Sequence, residues 1–249
     1  MTSMVRAELL KLRTTRMFYG NALAVLLIVP ISLAATILTA GDNGSPALDT
    51  SEGLRNVMSA SASGALVVLV IGILIMAGEF RHNTATSTFL ITPDRQQVVG
   101  AKLIAGSIVG AGLALVASAL TLAIALPWLA AENVTVDILS GDVMTVLLGA
   151  LGATTLYAMV GVGLGSLIRN QTVAVVVALI WVMIVEGLVV TLLPQVGQWL
   201  PGGAVAALTG VTVDDGVLLP MWGGALLLAA YGLAFATAGS RFVLQRDIT

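Results

Sequence analysis

Residues 66–77 read Leu66-Val67-Val68-Leu69-Val70-Ile71-Gly72-Ile73-Leu74-Ile75-Met76-Ala77, without one charged side chain, and Glu79, Arg81, Arg95 and Lys102 follow. An apolar run that ends in mixed charge is what a membrane span and its boundary require. Working outward, the chain holds six such stretches, near 18–40, 61–78, 103–126, 143–168, 172–193 and 221–243. Each is near or above the roughly 20 residues that cross a hydrocarbon core of about 30 Å. The second is the shortest and extends back toward Met58.

The composition agrees. Hydrophobic residues make up 58% of the chain and charged residues 10%, where a soluble domain carries about 25% charged residues. A chain this apolar cannot cover itself with polar surface, so bilayer is its solvent. The first stretch exceeds the roughly 7–15 residues of a signal h-region, no small-x-small cleavage site follows it, and it reads as a retained anchor.

The charges between the stretches sort by side. Arg6, Lys11, Arg13 and Arg16 precede the first stretch, Arg81, Arg95 and Lys102 lie between the second and third, Arg169 between the fourth and fifth, and Arg241 and Arg246 at the end of the sixth. The other loops carry Asp42, Asp49, Glu52, Glu132, Asp137, Asp142, Asp214 and Asp215, with Arg55 their only cation. Short cytoplasmic loops retain Lys and Arg, so six spans with both termini in the cytoplasm are expected.

Absent residue types exclude several chemistries. There is no cysteine and one histidine, His82, so disulfides, thiol nucleophiles and metal sites built on several histidines are out. Lys11 and Lys102 are the only lysines, and neither stands in G-x-x-x-x-G-K-[ST]. No catalytic residue, metal ligand or cofactor is expected in this chain. If ATP drives its work, another chain binds it. No acid or base lies near the midpoint of any span but the fifth. Proton- and sodium-coupled carriers usually need buried ionisable groups, so secondary transport is disfavoured.

Residues 1–16 form a separate element. Met1, Val5, Leu9 and Leu12 share a helical face, Arg6, Lys11 and Arg13 point elsewhere, and Glu8 can pair with Lys11 three residues on. A basic amphipathic helix of this kind lies in the membrane interface, attracted by anionic lipid, or serves only as an orientation signal. Residues 41–60 and 127–142 read as short exposed loops. Residues 194–220 differ: Pro194, Pro201, Gly202, Gly203 and Pro220 punctuate apolar pieces too short to span. Outer re-entrant or interfacial helices fit them better than a loop packed on the bundle. Gly106/Gly110 and Gly161/Gly165 form G-x-x-x-G faces for close helix approach, within a bundle or between two chains.

The stretch from Gly78 to Lys102 carries the most information about function. Asn83 or Thr84 can cap a short helix, Phe89, Leu90 and Ile91 give it an apolar patch, and Pro93 ends it. An exposed apolar cluster in a short loop marks a docking surface more often than an idle turn. Gly78-Glu79-Phe80-Arg81, Thr84, the Phe89-Leu90 pair, then Thr92-Pro93-Asp94-Arg95 and Lys102 resemble the first cytoplasmic loop of bacterial type-two ABC exporter permeases. Glu8-Leu9-Leu10-Lys11-Leu12-Arg13 resembles the N-terminal interface helix of that family.

The resemblance implies an all-α polytopic protein: a single permease domain over residues 1–249 in the bacterial plasma membrane, with an N-terminal interface helix, a cytoplasmic coupling helix and outer re-entrant helices before the last span. It implies a second permease half, the same or a homologous chain, and cytoplasmic ATPase subunits that hold ATP and magnesium. The coupling helix near Asn83–Thr92 would seat in the ATPase, with Glu79, Arg81, Thr84, Thr88, Phe89, Leu90, Pro93 and Arg95 at that contact and Arg169 at a second. The second and fifth spans would line the pathway, making Leu69, Ile73, Met76, Val176, Ile180, Met183 and Glu186 its candidates. Lipids are expected partners and nucleic acid is not.

Glu186 is the one acid well inside an apolar run, Trp181-Val182-Met183-Ile184-Val185-Glu186-Gly187. Such a carboxylate is functional by default, or Glu186-Gly187 ends the fifth span early. Without paired acids inside the spans a membrane enzyme is disfavoured. A non-transporting immunity or sensing subunit of an ATPase complex is the alternative to export.

Overall fold

The computed structural model describes residues 1–42, 44–81, 94–211 and 218–243, with side chains to 241. All regular structure among the described residues is helical. α1 (Thr2–Thr14) and α2 (Arg16–Leu38) are followed by α3 (Ser51–Ser59), which passes through a 3-10 turn into α4 (Ala65–Arg81). Then come α5 (Arg95–Ala131), α6 (Gly141–Leu167) and α7 (Gln171–Ile180), a π-helical turn Trp181–Val185, and α8 (Glu186–Leu192). Two short helices, α9 (Pro194–Gly197) and α10 (Pro201–Thr209), precede α11 (Met221–Ala238). Six helices are long and apolar enough to cross a membrane: Arg16–Leu38, Ser51–Arg81, Arg95–Ala131, Gly141–Leu167, Gln171–Leu192 and Met221–Arg241.

The ends of these helices follow from their caps. The Thr50 hydroxyl accepts the Gly53 N–H at 3.0 Å, Asp94 Oδ1 accepts Gln96 N–H at 3.0 Å, Ser140 Oγ accepts Val143 N–H at 3.4 Å, and Asn170 Oδ1 accepts Val173 N–H at 3.2 Å. Each side chain satisfies a first-turn donor that the helix itself leaves open. Gly210, at φ +67°, closes α10 in the left-handed region that a side chain disfavours.

Several boundaries differ from the sequence reading, among them 127–131, expected as loop and found to be the last turn of the third span. Residues 51–59 are helical rather than loop, because Thr50 caps them and Val57 and Met58 bury against Leu33, Leu129 and Val146. The third span begins at Arg95, two turns before the expected 103, so Lys102 lies inside the helix. The fifth span runs through Glu186-Gly187 to Leu192, and the chain breaks at Leu193-Pro194 instead.

α4 and α6 form the centre. Of the residues in the apolar part of the second span, 72% are buried, against 17% in the fifth. The glycines allow this closeness: a Cβ on Gly161 would fall on the Leu69 carbonyl and the Gly72 Cα, and one on Gly165 would meet Ile73 and Met76. Gly106 and Gly110 rest on the other side of α6, at Val162, Ala158 and Thr155, and Gly163 meets α11 at Gly232 and Phe235. Both G-x-x-x-G pairs are therefore spent inside the bundle. Lys and Arg collect at the end holding α1, the foot of α4 and the start of α5, called here the basic end. At the opposite, acidic end, α3 is tied to α6 by Arg55 and Asp142, and α10 covers the bundle with Ala204 and Leu208 buried against Gly224 and Gly149.

Candidate functional site

Four ionisable side chains meet at the basic end, from three helices. α1 brings Glu8 and Lys11, the last turns of α4 bring Glu79, and the second turn of α5 brings Lys102. Lys102 Nζ donates to Glu8 Oε2 at 2.8 Å, Glu79 Oε1 at 2.9 Å and the Ile75 carbonyl at 3.1 Å, which uses all three of its protons. Lys11 Nζ donates to Glu8 Oε1 at 3.0 Å and Glu79 Oε1 at 2.9 Å. Lys102 is 0% exposed and Glu79 7%. Two carboxylates and two ammonium groups sum to zero, which is how charge is tolerated out of water. Burial alone would lower the Lys11 ammonium, but Glu79 and Glu8 reverse this and hold its pKa above the ordinary lysine value.

Sequence logic explains the burial of Glu8. It follows Val5 by three residues and precedes Leu12 by four, so it lies on the buried stripe of α1. That stripe packs on α5, with Met4, Val5 and Leu9 against Ala101 and Ala105. The pairing is thus among α1, α4 and α5, and α4 and α5 are the two helices that flank residues 82–93. A cavity of about 340 Å³ opens beside the network, between Leu12, Phe18, Ile71, Leu74 and Gln171, with the half-exposed Lys11 on its wall.

The other expected contact residues distribute around this network. Arg81 is exposed at the end of α4, Arg95 is half-buried at the start of α5, and Arg169 is half-buried in the turn between α6 and α7. Thr84, Thr88, Phe89, Leu90 and Pro93, with the short helix expected there, lie outside the described residues. Sequence reading missed Lys102 as a buried partner and Glu8 as its bridge. The available signal was that the two lysines and two of the acids at this end balance.

The expected pathway residues divide into two sets. Leu69, Ile73 and Met76 are buried within the single chain. Ala174 and Ala178, the inner face of α7, join Leu69 and Ile73 in one cluster. Val176, Ile180 and Met183 form the opposite stripe and are exposed, Met183 at 68%. Glu186 is buried, and its Oε2 accepts the Gly202 N–H at 2.7 Å, tying the fifth span to the first turn of α10. The same carboxylate lies beside the Trp181 side chain. Among the described residues no group of His, Cys, Asp or Glu could hold a metal ion.

The family model described as ABC-2 family transporter protein matches residues 4–185, which takes in α1, the ion network and the first five spans up to Val185. The chain belongs to the ABC-2 transporter family. It is a multi-pass permease subunit of an ABC transporter, a membrane component that is not itself an ATPase, and the family generally works with cytoplasmic ABC ATPases. No curated protein matches the chain.

Proposed function

We propose that this permease is one half of an ATP-driven exporter in a bacterial plasma membrane, with both termini cytoplasmic and residues 1–249 forming one permease domain. A second half, the same or a homologous chain, completes the pathway, and separate ATPase subunits holding ATP and magnesium dock at the basic end. The observation that carries this reading is the network Glu8–Lys11–Glu79–Lys102. It joins the interface helix to both helices that flank residues 82–93.

A force applied to those residues by a closing ATPase passes to α4 and α5 at once, and the buried ion pairs carry α1 with them. α4 sits against α6 at glycine contacts without room for slack, so a displacement at its foot moves the centre of the bundle. Packed interfaces of this kind change between discrete arrangements instead of deforming smoothly. Glu79, Arg81 and Arg95, with Thr84, Thr88, Phe89, Leu90 and Pro93 between them, form the main ATPase contact, and Arg169 a second. The exposed stripe Val176, Ile180 and Met183 faces the second half, and Glu186 controls release at the acidic end.

The test is purification of the tagged protein from its native membrane and identification of its partners. A stoichiometric ATPase is expected, and Phe89→Asp/Leu90→Asp should release it while leaving the permease in the membrane. A clean preparation without ATPase, under conditions that keep known transporter complexes whole, would overturn the proposal.

A further inference from the structure

A second cavity, of about 570 Å³, lies on the other side of α1, between that helix and the outward stripe of α5. Arg6 and Arg13 stand on its α1 wall, seven residues and so about 10 Å apart along the helix. Ile108, Gly112 and Val116 form the α5 wall, one residue per turn. Phe18 lies at the junction. Among the described residues no acidic side chain lines the cavity. Neither arginine makes an ion pair among the described residues, unlike Lys11 and Lys102 on the opposite face. Ile108 and Val116 are both exposed, so this wall opens toward the surrounding bilayer. Gly112 forms the floor: a Cβ built there meets nothing within 4 Å.

We infer that this groove binds an anionic phospholipid from the leaflet at the basic end. The phosphate sits between the Arg6 and Arg13 guanidinium groups, and an acyl chain lies along Ile108, Gly112 and Val116. Charge complementarity selects the occupant. Two guanidiniums without an ion pair among the described residues present the planar donors that phosphate oxygens accept best, and a zwitterionic headgroup brings its own cation into that field. Below them the lining is apolar, as an acyl chain needs. The site goes beyond the general attraction of a basic helix to a charged surface, because it adds a shaped slot of which Gly112 is the floor. An occupied groove would brace α1, and with it Glu8 and Lys11, against α5.

The inference rests on the groove and its bilayer placement and not on the proposed coupling, so its test needs neither ATPase nor cargo. The full-length protein is delipidated in detergent, mixed with equal amounts of phosphatidylglycerol and phosphatidylcholine, and the retained lipids are counted by native mass spectrometry. Phosphatidylglycerol should be retained in preference, and Arg6→Gln/Arg13→Gln should weaken that retention about 10- to 30-fold. Arg6→Lys/Arg13→Lys keeps the charge but not the planar donors and should retain an intermediate amount, more than the Gln pair and less than wild type. Gly112→Phe places its Cβ in open space and its ring in the slot with every charge in place, and it should lose the lipid as the Gln pair does. Equal retention of both lipids by the wild type would overturn the inference. So would undiminished phosphatidylglycerol binding by Gly112→Phe, which would mean that charge acts without a slot.

Discussion

Removing Lys102 should destabilise the permease more than removing any other single cation, and a second substitution should repair most of the damage. Lys102→Met deletes three hydrogen bonds, two of them to carboxylates. Of the four-group network it leaves Glu8, Glu79 and Lys11, a net charge of −1 where Glu79 is buried. Breaking a buried ion pair from one side costs about 3–5 kcal/mol. Lys11 is half exposed, and water reaching it relieves part of the imbalance, which favours the lower end, about 3 kcal/mol. Adding Glu79→Gln returns the site to zero net charge with Glu8 and Lys11 still paired. The double variant should therefore lie within about 1–1.5 kcal/mol of wild type, a coupling of roughly 2 kcal/mol or more between the two positions. SDS-titrated unfolding in mixed micelles, followed by circular dichroism, measures all four corners of this cycle. Effects that add within about 0.5 kcal/mol, or a Lys102→Met cost below about 1 kcal/mol, would refute the view that these charges act as one unit.

Other contacts give contrasting outcomes. Gly161→Ala puts a methyl group onto the Leu69 carbonyl and Gly72 and should cost about 1–3 kcal/mol by overpacking, lowering the melting temperature, whereas Gly112→Ala, with open space around it, should not. Arg55→Ala removes an ion pair whose two side chains are 39% and 43% exposed, and denaturation should register less than about 1 kcal/mol. Glu186→Gln keeps an acceptor for the Gly202 N–H and should leave expression and stability intact while changing transport; unchanged transport would remove Glu186 from the pathway. Because the chain has no cysteine, single introduced thiols report sidedness directly: Ser45→Cys should react with an impermeant maleimide in intact cells and Thr14→Cys should not, and the reverse pattern would invert the proposed topology.

Much of this protein is written in one dimension. Six spans and their alternation follow from run length and charge sorting, because a bilayer imposes its thickness on any helix that crosses it. The resemblance to ABC permeases rests on local strings in α1 and around Glu79–Lys102, and the family match over residues 4–185 agrees with it. Helix caps at Thr50, Asp94, Ser140 and Asn170 are local too, and they explain why Ser51–Ser59 and Arg95–Lys102 are helical although hydropathy alone left them outside the spans. Tertiary structure decided what those helices touch. Sequence shows Lys102 as a charge near a membrane boundary; only the approach of α1 and α4 makes it a buried hub whose three protons are all taken. It shows G-x-x-x-G twice without a partner; only the bundle assigns Gly161 and Gly165 to α4, and Gly106 and Gly110 to α6. It shows Arg6 and Arg13 as basic residues of an amphipathic helix; only the gap beside α5 puts a slot beneath them. Hydrophobic runs and caps are satisfied by near neighbours in the chain and so leave a local signature. Ion pairing, glycine contacts and cavities depend on residues tens of positions apart, such as Glu8 and Lys102, and no local pattern encodes which of them will meet.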